Sequence, residues 1–338
     1  MPSTTDSAQP EAAGEFVEQA PHEAGFASIY TEMVAPHLGG LQRARERAVK
    51  RRRLQVVAGI TIIFLIWMGV WLWGIGGVHF LILLIAGLLS LVTADLLLRR
   101  GTQPHRRTAT MLRDLLIKAV CEQVEGLVYQ RVAGRKVNHD RLVALSLAPR
   151  HATALIENFF GATRHTMAFR AVQASLRNNH RQEIFRGLLI EVDLPEPFDG
   201  RIVLARRDEP PRDDIAWEPP PGDVIDLKGH PAFQRLFQVC SDNPEAAERL
   251  LTEALKTALV RLDEQLDGAV FRAGFASGCL LLTVPLEHAV LEIPSNAPGP
   301  LDPSGDAHRL LKITNLPIRI IDTLHGIDPD SGGRYRAR

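Results

Sequence analysis

Residues 54–73 have the sequence LQVVAGITIIFLIWMGVWLW, and residues 78–98 have the sequence VHFLILLIAGLLSLVTADLLL. The first stretch is twenty residues without a charge, and the second carries a single acid, Asp95. A helix needs about 20 apolar residues to cross the hydrocarbon core of a bilayer. Because the glycine-rich residues 74–77 separate the two stretches, we predict a transmembrane helical hairpin that satisfies its own backbone hydrogen bonds in lipid.

Basic residues flank this predicted hairpin on both sides, whereas its turn carries no charge. The bases before the first span are Arg43, Arg45, Arg47, Lys50, Arg51, Arg52 and Arg53, and those after the second span are Arg99, Arg100, Arg106 and Arg107. Since Lys and Arg stay on the cytoplasmic side, both termini are predicted to be cytoplasmic. The seven bases before the first span are expected to contact anionic lipids of the inner leaflet. Each should contribute about 1 kcal/mol of attraction to the membrane surface.

Asp95 lies about one helical turn from the cytoplasmic end of the second predicted span. Arg99 follows it at i+4, on the same helix face, so we interpret the two residues as an interfacial ion pair. The spans contain few other polar residues, and two helices of one chain cannot enclose a pore. The sequence therefore favours an anchor over an ion or proton pathway.

Charge and cysteine usage exclude several classes of protein. The chain has 39 bases and 39 acids, which rules out a uniformly basic nucleic-acid binder. The charges are nevertheless segregated: residues 1–42 hold six acids and no Lys or Arg, whereas residues 43–107 hold eleven bases and two acids. Three widely spaced cysteines form neither a disulfide framework nor a zinc-binding pattern.

The composition along the chain predicts an ordered series of segments. These are a disordered acidic tail (1–23), a basic juxtamembrane helix (24–53), the transmembrane hairpin (54–98), a juxtamembrane amphipathic helix (99–145), a cytoplasmic α+β domain (146–325) and a disordered tail (326–338). The basic segment is expected to be interrupted at Pro36 and at Gly39-Gly40. In the segment after the hairpin, residues 108–132 have helical periodicity, and Gly134 is expected to close that helix.

The α+β domain is predicted to contain two antiparallel hairpins. Residues 165–177 and 182–194 are strand-like and flank Asn178-Asn179-His180, and residues 269–276 and 279–284 flank Ser277-Gly278. Further strands are predicted at 201–206 and 235–241, on either side of a proline-rich surface loop at 208–222. Strand pairs that alternate with helices, rather than strict βαβ units, indicate an α+β fold.

Two amphipathic helices complete the predicted domain. Asp242-Asn-Pro-Glu245 resembles a capping box and begins a helix over 242–267, in which Leu251, Leu255 and Leu262 are expected to be buried. Residues 306–325 are also helical in pattern, with a break expected at Pro317.

No catalytic, cofactor-binding or metal-binding constellation is found. The twelve histidines show no His-Glu-x-x-His pattern and no cysteine at zinc spacing, and the common nucleotide-binding glycine loops are absent. Cys279 follows Ser277-Gly278, but no base is spaced to activate it, so we interpret the segment as a hairpin turn. Basic residues are not interleaved with aromatic residues, so no nucleic-acid footprint is expected.

The order of these parts resembles a known family. Four short motifs carry the resemblance: Tyr30-Thr-Glu-Met-Val-Ala-Pro36, Ile184-Phe-Arg-Gly-Leu-Leu189, Ser241-Asp-Asn-Pro-Glu-Ala246 and Ser277-Gly-Cys-Leu280. In order and spacing, over roughly residues 26–325, they are similar to the bacterial family catalogued as domain of unknown function thirty-one thirty-seven. The resemblance implies a bacterial inner-membrane protein. It carries over no catalytic residue, because the family has no established activity.

Three functions are compatible with the sequence. The first is a membrane-anchored cytoplasmic interaction module with a protein partner, which explains the anchor and the absence of catalytic motifs. The second is an oligomeric membrane-remodelling or transport accessory protein. The third is an enzyme whose site is not recognised. We expect the first, and therefore no enzyme activity.

Overall fold

The computed structural model divides the chain into two compact units. It describes residues 15–73, 90, 108–132, 139–195, 198–207, 219–266, 271–286 and 302–327. The first unit comprises residues 1–16, 30–116 and 293–306, and the second unit comprises residues 17–29, 117–292 and 307–338.

The second unit is built on an antiparallel sheet that has nine strands in the described part of the chain. Their order across the sheet is β1-β2-β3-β4-β9-β8-β5-β7-β6. The strands are β1 (Val128–Val132), β2 (Thr153–Arg164), β3 (Met167–Arg177), β4 (Glu183–Asp193), β5 (Arg201–Arg206), β6 (Asp223–Ile225), β7 (Phe237–Ser241), β8 (Arg272–Ala276) and β9 (Cys279–Pro285). Together with its helices, this sheet confirms the α+β fold class.

Helices flank the strands. The second unit contains α4 (His139–Ala144), α5 (Pro231–Leu236), α6 (Pro244–Leu250) and α7 (Glu253–Gln265). Three further helices are α1 (Phe26–Met33), α3 (residues 108–123) and α8 (Pro303–Leu324), and α2 (Ala35–Trp73) belongs to the first unit.

Both predicted hairpins are present, and their turns have clear local causes. Between β3 and β4, the Asn178 side-chain oxygen accepts hydrogen bonds from the backbone N–H groups of His180 and Gln182, both at 3.0 Å. Between β8 and β9, Ser277 and Gly278 have φ angles of 51° and 72°. Two consecutive positive φ values are typical of the type I′ turn, whose twist matches that of the flanking strands.

The centre of the sheet is buried on both faces. In β4, Leu188, Leu189 and Ile190 have no exposed surface, and the β9 residues opposite them are at most 2% exposed. Close strand approach at Gly187 excludes a larger residue, because a Cβ there would lie 2.2 Å from the Val284 carbonyl oxygen. Leu142 of α4 packs into the same buried cluster.

Strand β2 was not predicted, because a bulge disrupts its alternation. The register between β2 and β3 shifts between Glu157 and Phe160, where Asn158 has a φ angle of 57°. The buried Asn158 side chain donates to Gln173 at 2.9 Å and accepts from the Tyr129 hydroxyl at 2.8 Å. A bulge of this kind changes the face on which the following residues lie, so period-2 patterning fails across it.

The helix predicted over 242–267 is divided into α6 and α7. Asn243, rather than Asp242, caps α6 by accepting from the Ala246 N–H at 3.1 Å, and Thr252 caps α7 by accepting from the Leu255 N–H at 3.3 Å. A second cap inside the segment ends the first helix, since an N-cap residue has non-helical geometry.

Two of the three leucines predicted to be buried in this segment are in the core. Leu251 and Leu262 are 1% and 4% exposed, whereas Leu255 is only half-buried. Asp242 instead accepts hydrogen bonds from the backbone and side chain of Arg201. Burial raises the pKa of Asp242, but these bonds lower it more, so its pKa lies below the usual value.

Other segment boundaries also differ from the predictions. Residues 128–132 form the edge strand β1 instead of continuing a helix, because the preceding helix ends at residue 123. Residues 231–236 form a short helix before β7. Helix α8 continues through Pro317, where a break was expected. Residues 208–218 of the proline-rich loop lie outside the described residues.

The N-terminal segment has structure from residue 15 onwards, although a disordered tail was predicted through residue 23. Phe16 is 3% exposed, and residues 21–23 form a short 3-10 helix. The buried Glu23 carboxylate organises this segment by accepting from the backbone N–H groups of Gln19 and Ala20. Residues 1–14 and 328–338, which contain most of the two predicted tails, lie outside the described residues.

Helix α2 combines the basic run with the first predicted span. It begins one residue before Pro36 and runs for 39 residues, so the Gly39-Gly40 pair does not interrupt it. Among the residues that the structure describes, no helix meets the length and hydropathy required to cross a membrane. Apart from Ser90, residues 74–107, which include the predicted turn and second span, are not described.

Candidate functional site

A cavity of about 310 Å³ lies in the second unit. Four segments that are distant in sequence line it: the N-terminal segment at His22, the end of α3 and the turn after it (residues 123–126), the end of β2 with the start of β3, and α8. Phe169 and Ile318 supply apolar surface, and Arg164 and Asn315 supply polar groups. Its volume is at the lower end of the range for small-molecule sites.

An ion-pair network orients Arg164 at this cavity. Asp322 of α8 is 2% exposed and accepts from Arg164 Nε at 2.9 Å and Nη2 at 3.3 Å. His165 Nε2 lies 2.9 Å from the same carboxylate, and the His165 and His325 rings are 5.0 Å apart. The guanidinium charge is therefore compensated within the protein, and the side chain is held in one position.

The turn that carries His165 has an unusual backbone. His165 and Thr166 join β2 to β3 with φ angles of 47° and 69°. The left-handed conformation costs an ordinary residue roughly 1–2 kcal/mol, and β-branched Thr166 tolerates it poorly. Such a turn normally contains Asn or Gly, so no residue of this segment indicated a tight hairpin.

The N-terminal segment is tied to the cavity wall by two further contacts. Gln123 Nε2 donates to the Ala24 carbonyl oxygen at 2.8 Å, and His308 Nδ1 of α8 lies 2.6 Å from Glu23 Oε1. His22 Nε2 lies 4.0 Å from the same Glu23 oxygen. Burial raises the pKa of Glu23, but its hydrogen bonds to His308 and the backbone lower it more, so the pKa lies below its ordinary value.

Asn315 is the most deeply buried polar side chain at the cavity. It is 2% exposed, and its Nδ2 donates to the Leu311 carbonyl oxygen at 3.0 Å. Its amide oxygen has no hydrogen-bond partner among the described residues. This oxygen keeps some accessible surface, so water or a ligand can bond to it.

A second cluster lies at the ends of β4 and β9. Ligand atoms of Glu191, Asp193 and Cys279 lie within 4.8 Å of one another, which is compatible with a metal ion. Arg170 Nη2, however, lies 2.6 Å from Asp193 and 3.5 Å from Glu191, and Arg141 Nη1 lies 3.4 Å from Glu191.

Ion pairs with these arginines account for the two carboxylates of the cluster without a metal. Burial raises the pKa of Cys279, and Glu191 and Asp193 raise it further, to about 11. The Cys279 thiol therefore stays protonated and donates towards Asp193 at 3.5 Å. A nucleophile would need the thiolate, and the two carboxylates already contact arginines, so the arrangement is best explained as a partly exposed ion-pair network.

The basic residues predicted to contact lipid lie in α2. Arg43, Arg47 and Lys50 are exposed, and Arg45 is half-buried. Arg43 Nε donates to the Gly39 carbonyl oxygen one turn earlier at 2.9 Å. Arg51, Arg52 and Arg53 continue the same helix, and their side chains lie outside the described part.

Comparison with known proteins supports the predicted family resemblance over part of its range. The chain is also similar to the crystal structure of the mycobacterial trehalose monomycolate transport factor A, TtfA, at 10% identity and a TM-score of 0.34, over 63% of this chain and 96% of that one. A likeness of that TM-score carries no argument about function. No curated protein matches the chain significantly. Residues 183–325 match the family model described as protein of unknown function (DUF3137), so the chain carries a domain of that family.

Proposed function

We propose that this protein is a membrane-anchored interaction module of the bacterial inner membrane. Residues 54–98 form a two-span hairpin, both termini are cytoplasmic, and the cytoplasmic α+β domain binds a protein partner. In this function the chain catalyses no reaction and requires no cofactor.

The exposed apolar surface of α2 is the observation that carries the anchor. Seven large apolar side chains in its second half are 41–71% exposed: Leu54, Val57, Ile60, Phe64, Leu65, Trp67 and Met68. Moving a side chain of this size from water into an apolar medium contributes about 1.5–3 kcal/mol. Large apolar side chains exposed in such number on one helix are typical of a surface that contacts a membrane or a partner.

The flanking charges favour a membrane over a protein partner for this patch. The uncharged residues 54–73 directly follow a basic run in which Arg43, Arg47 and Lys50 are exposed. Exposed bases at the cytoplasmic end of an apolar helix are attracted to anionic lipids. Since no described helix qualifies as a span, the support comes from this exposure and from the sequence of residues 54–98.

Reporter fusions in the full-length chain test this anchor. Alkaline phosphatase inserted at Gly76, in the predicted turn, should be active because the turn reaches the far side of the membrane. The same enzyme inserted at Asn179, an exposed residue of the β3–β4 turn, should be inactive. A fluorescent protein fused after Arg338 should be fluorescent.

Comparing the phosphatase insertions at Gly76 and Asn179 also shows which result would contradict the proposed topology. Equal phosphatase activity at Gly76 and Asn179 would show that the two positions lie on the same side of the membrane. Release of the full-length protein from membranes by alkaline carbonate would likewise exclude an integral anchor.

A further inference from the structure

The wall of the cavity in the second unit carries several side-chain oxygens that can accept hydrogen bonds. Asn315 lines the cavity, and its amide oxygen, which keeps some accessible surface, has no hydrogen-bond partner among the described residues. Gln123 donates through Nε2 to Ala24, which likewise leaves its amide oxygen without a described partner. Exposed Glu125 lines the same cavity, and its carboxylate has no ion-pair partner in the described ranges.

The two side chains at the wall that can carry positive charge each lie beside a carboxylate. Arg164 is bound through two of its nitrogens by Asp322, and His22 Nε2 lies 4.0 Å from Glu23. Asp322 compensates the charge of Arg164, whereas the charge of Glu125 has no ion-pair partner among the described residues.

The end of helix α3 adds to this polarity. Residues 123–126 line the cavity and include the last helical residue and the turn after it. The carboxyl end of a helix carries partial negative charge on its terminal carbonyl groups, and it favours a nearby cation. Phe169 and Ile318 supply apolar surface for the carbon atoms of a ligand.

We propose that this cavity binds a primary alkylammonium group, which donates hydrogen bonds to Asn315 Oδ1 and is attracted by Glu125, while its short alkyl chain packs on Phe169 and Ile318. An ammonium group has three donors and no acceptor, which matches a wall of oxygen acceptors. This proposal does not depend on the membrane anchor, because every lining residue belongs to the second unit.

The probe for this proposal is n-butylammonium chloride, titrated into the purified full-length protein and followed by saturation-transfer NMR. The control n-butanol has the same alkyl chain without the charge, and sodium chloride controls for ionic strength. We expect saturable binding of n-butylammonium and at least about tenfold weaker binding of n-butanol, because hydrogen bonds to a charged group are the stronger ones.

Matched variants locate the site. Glu125→Gln should weaken n-butylammonium binding about twofold to fivefold, as expected for an exposed charge. Glu122→Gln removes an exposed carboxylate of α3 that does not line the cavity, and it should leave the affinity unchanged. Asn315→Leu keeps a similar volume beside Leu311, removes the amide oxygen, and should weaken binding about tenfold or more.

Three results would overturn the proposal: no saturable n-butylammonium binding, equal affinity for n-butanol, or equal effects of Glu125→Gln and Glu122→Gln. If Asn315→Leu unfolds the protein, the two glutamate variants still test the site, because substitutions at these exposed positions should leave the fold intact. The same titration with Nα-acetyl-lysine amide, a blocked lysine whose side-chain ammonium group is free, distinguishes a small free amine from a lysine side chain. Tighter binding of the blocked lysine than of n-butylammonium would indicate that the cavity binds a lysine side chain of a protein partner.

Discussion

Glu23 illustrates how one buried carboxylate ties the N-terminal segment of the second unit to α8. It is 3% exposed and accepts from Gln19, Ala20 and His308. Its pKa lies below the ordinary value because these hydrogen bonds outweigh the effect of burial. A lowered carboxylate pKa contributes stability above the unfolded-state pKa, and this contribution is lost as the pH falls through the folded-state pKa.

We therefore predict that Glu23→Gln destabilises the protein at pH 7 and that the difference disappears in acid. The expected loss at pH 7 is about 1.5–3 kcal/mol, as for hydrogen bonds to a charged group. It should shrink below the ordinary glutamate pKa, about 4.3. Denaturant unfolding at a series of pH values, followed by near-ultraviolet circular dichroism, measures this difference.

Glu32→Gln is the matched control, because Glu32 is an exposed carboxylate of α1. Its effect should be small at every pH. A Glu23→Gln penalty that stayed constant from pH 7 into acid would contradict the assignment, since it would come from packing and not from the ionised carboxylate.

At the scale of the element, helix α7 packs through one buried face. Fewer of its leucines are buried on that face than the sequence pattern predicted. Leu259 and Leu262 are 2% and 4% exposed, whereas Leu255 is half-buried. The Arg206–Asp263 ion pair, with Nη1 2.6 Å from Oδ1 and both side chains about 10% exposed, ties the same helix to β5.

We predict that Leu262→Ala lowers the stability of the second unit by about 2–5 kcal/mol, as is usual for a buried leucine. Leu255→Ala should cost clearly less, because part of that side chain already contacts water. Thermal unfolding of the two full-length variants compares them directly. Equal melting temperatures would show that Leu255 is as important to the packing as Leu262.

At the scale of the whole molecule, the proposed anchor and the proposed binding domain occupy different parts of the chain. Residues 54–98 supply the anchor, whereas the cavity, the sheet and the matched family domain at 183–325 lie outside that segment. If residues 54–98 serve only as an anchor, their detailed sequence should not affect what the rest of the chain binds.

We predict that an unrelated two-span hairpin of the same topology can replace residues 54–98 and leave the set of cross-linked partners in native membranes unchanged. Asp95→Asn should also have little effect, because an interfacial ion pair contributes only about 0–1 kcal/mol. Loss of those partners in an Asp95→Asn variant that expresses and folds normally would point to a function within the membrane. It would favour the alternative of an oligomeric membrane-remodelling or transport accessory protein.

The sequence by itself determined the features that depend on neighbouring residues. The turn at Asn178 could be predicted because its side chain bonds to the backbone two and four residues ahead, and the turn at Ser277-Gly278 because it lies between two apolar runs. The family resemblance also followed from local motifs, although the family model matches residues 183–325 and not the whole range expected. The uncharged stretch at 54–73 was likewise evident without any tertiary information.

Only the tertiary structure decided the features that depend on distant residues. The bulge at Asn158 is stabilised by Gln173 and Tyr129 from two neighbouring strands, so no local pattern reveals it. The turn at His165 lies against Asp322, which is 157 residues away. The cavity combines four separate segments, and local sequence patterns cannot show that the buried amide of Asn315 and the carboxylate of Glu125 line the same cavity.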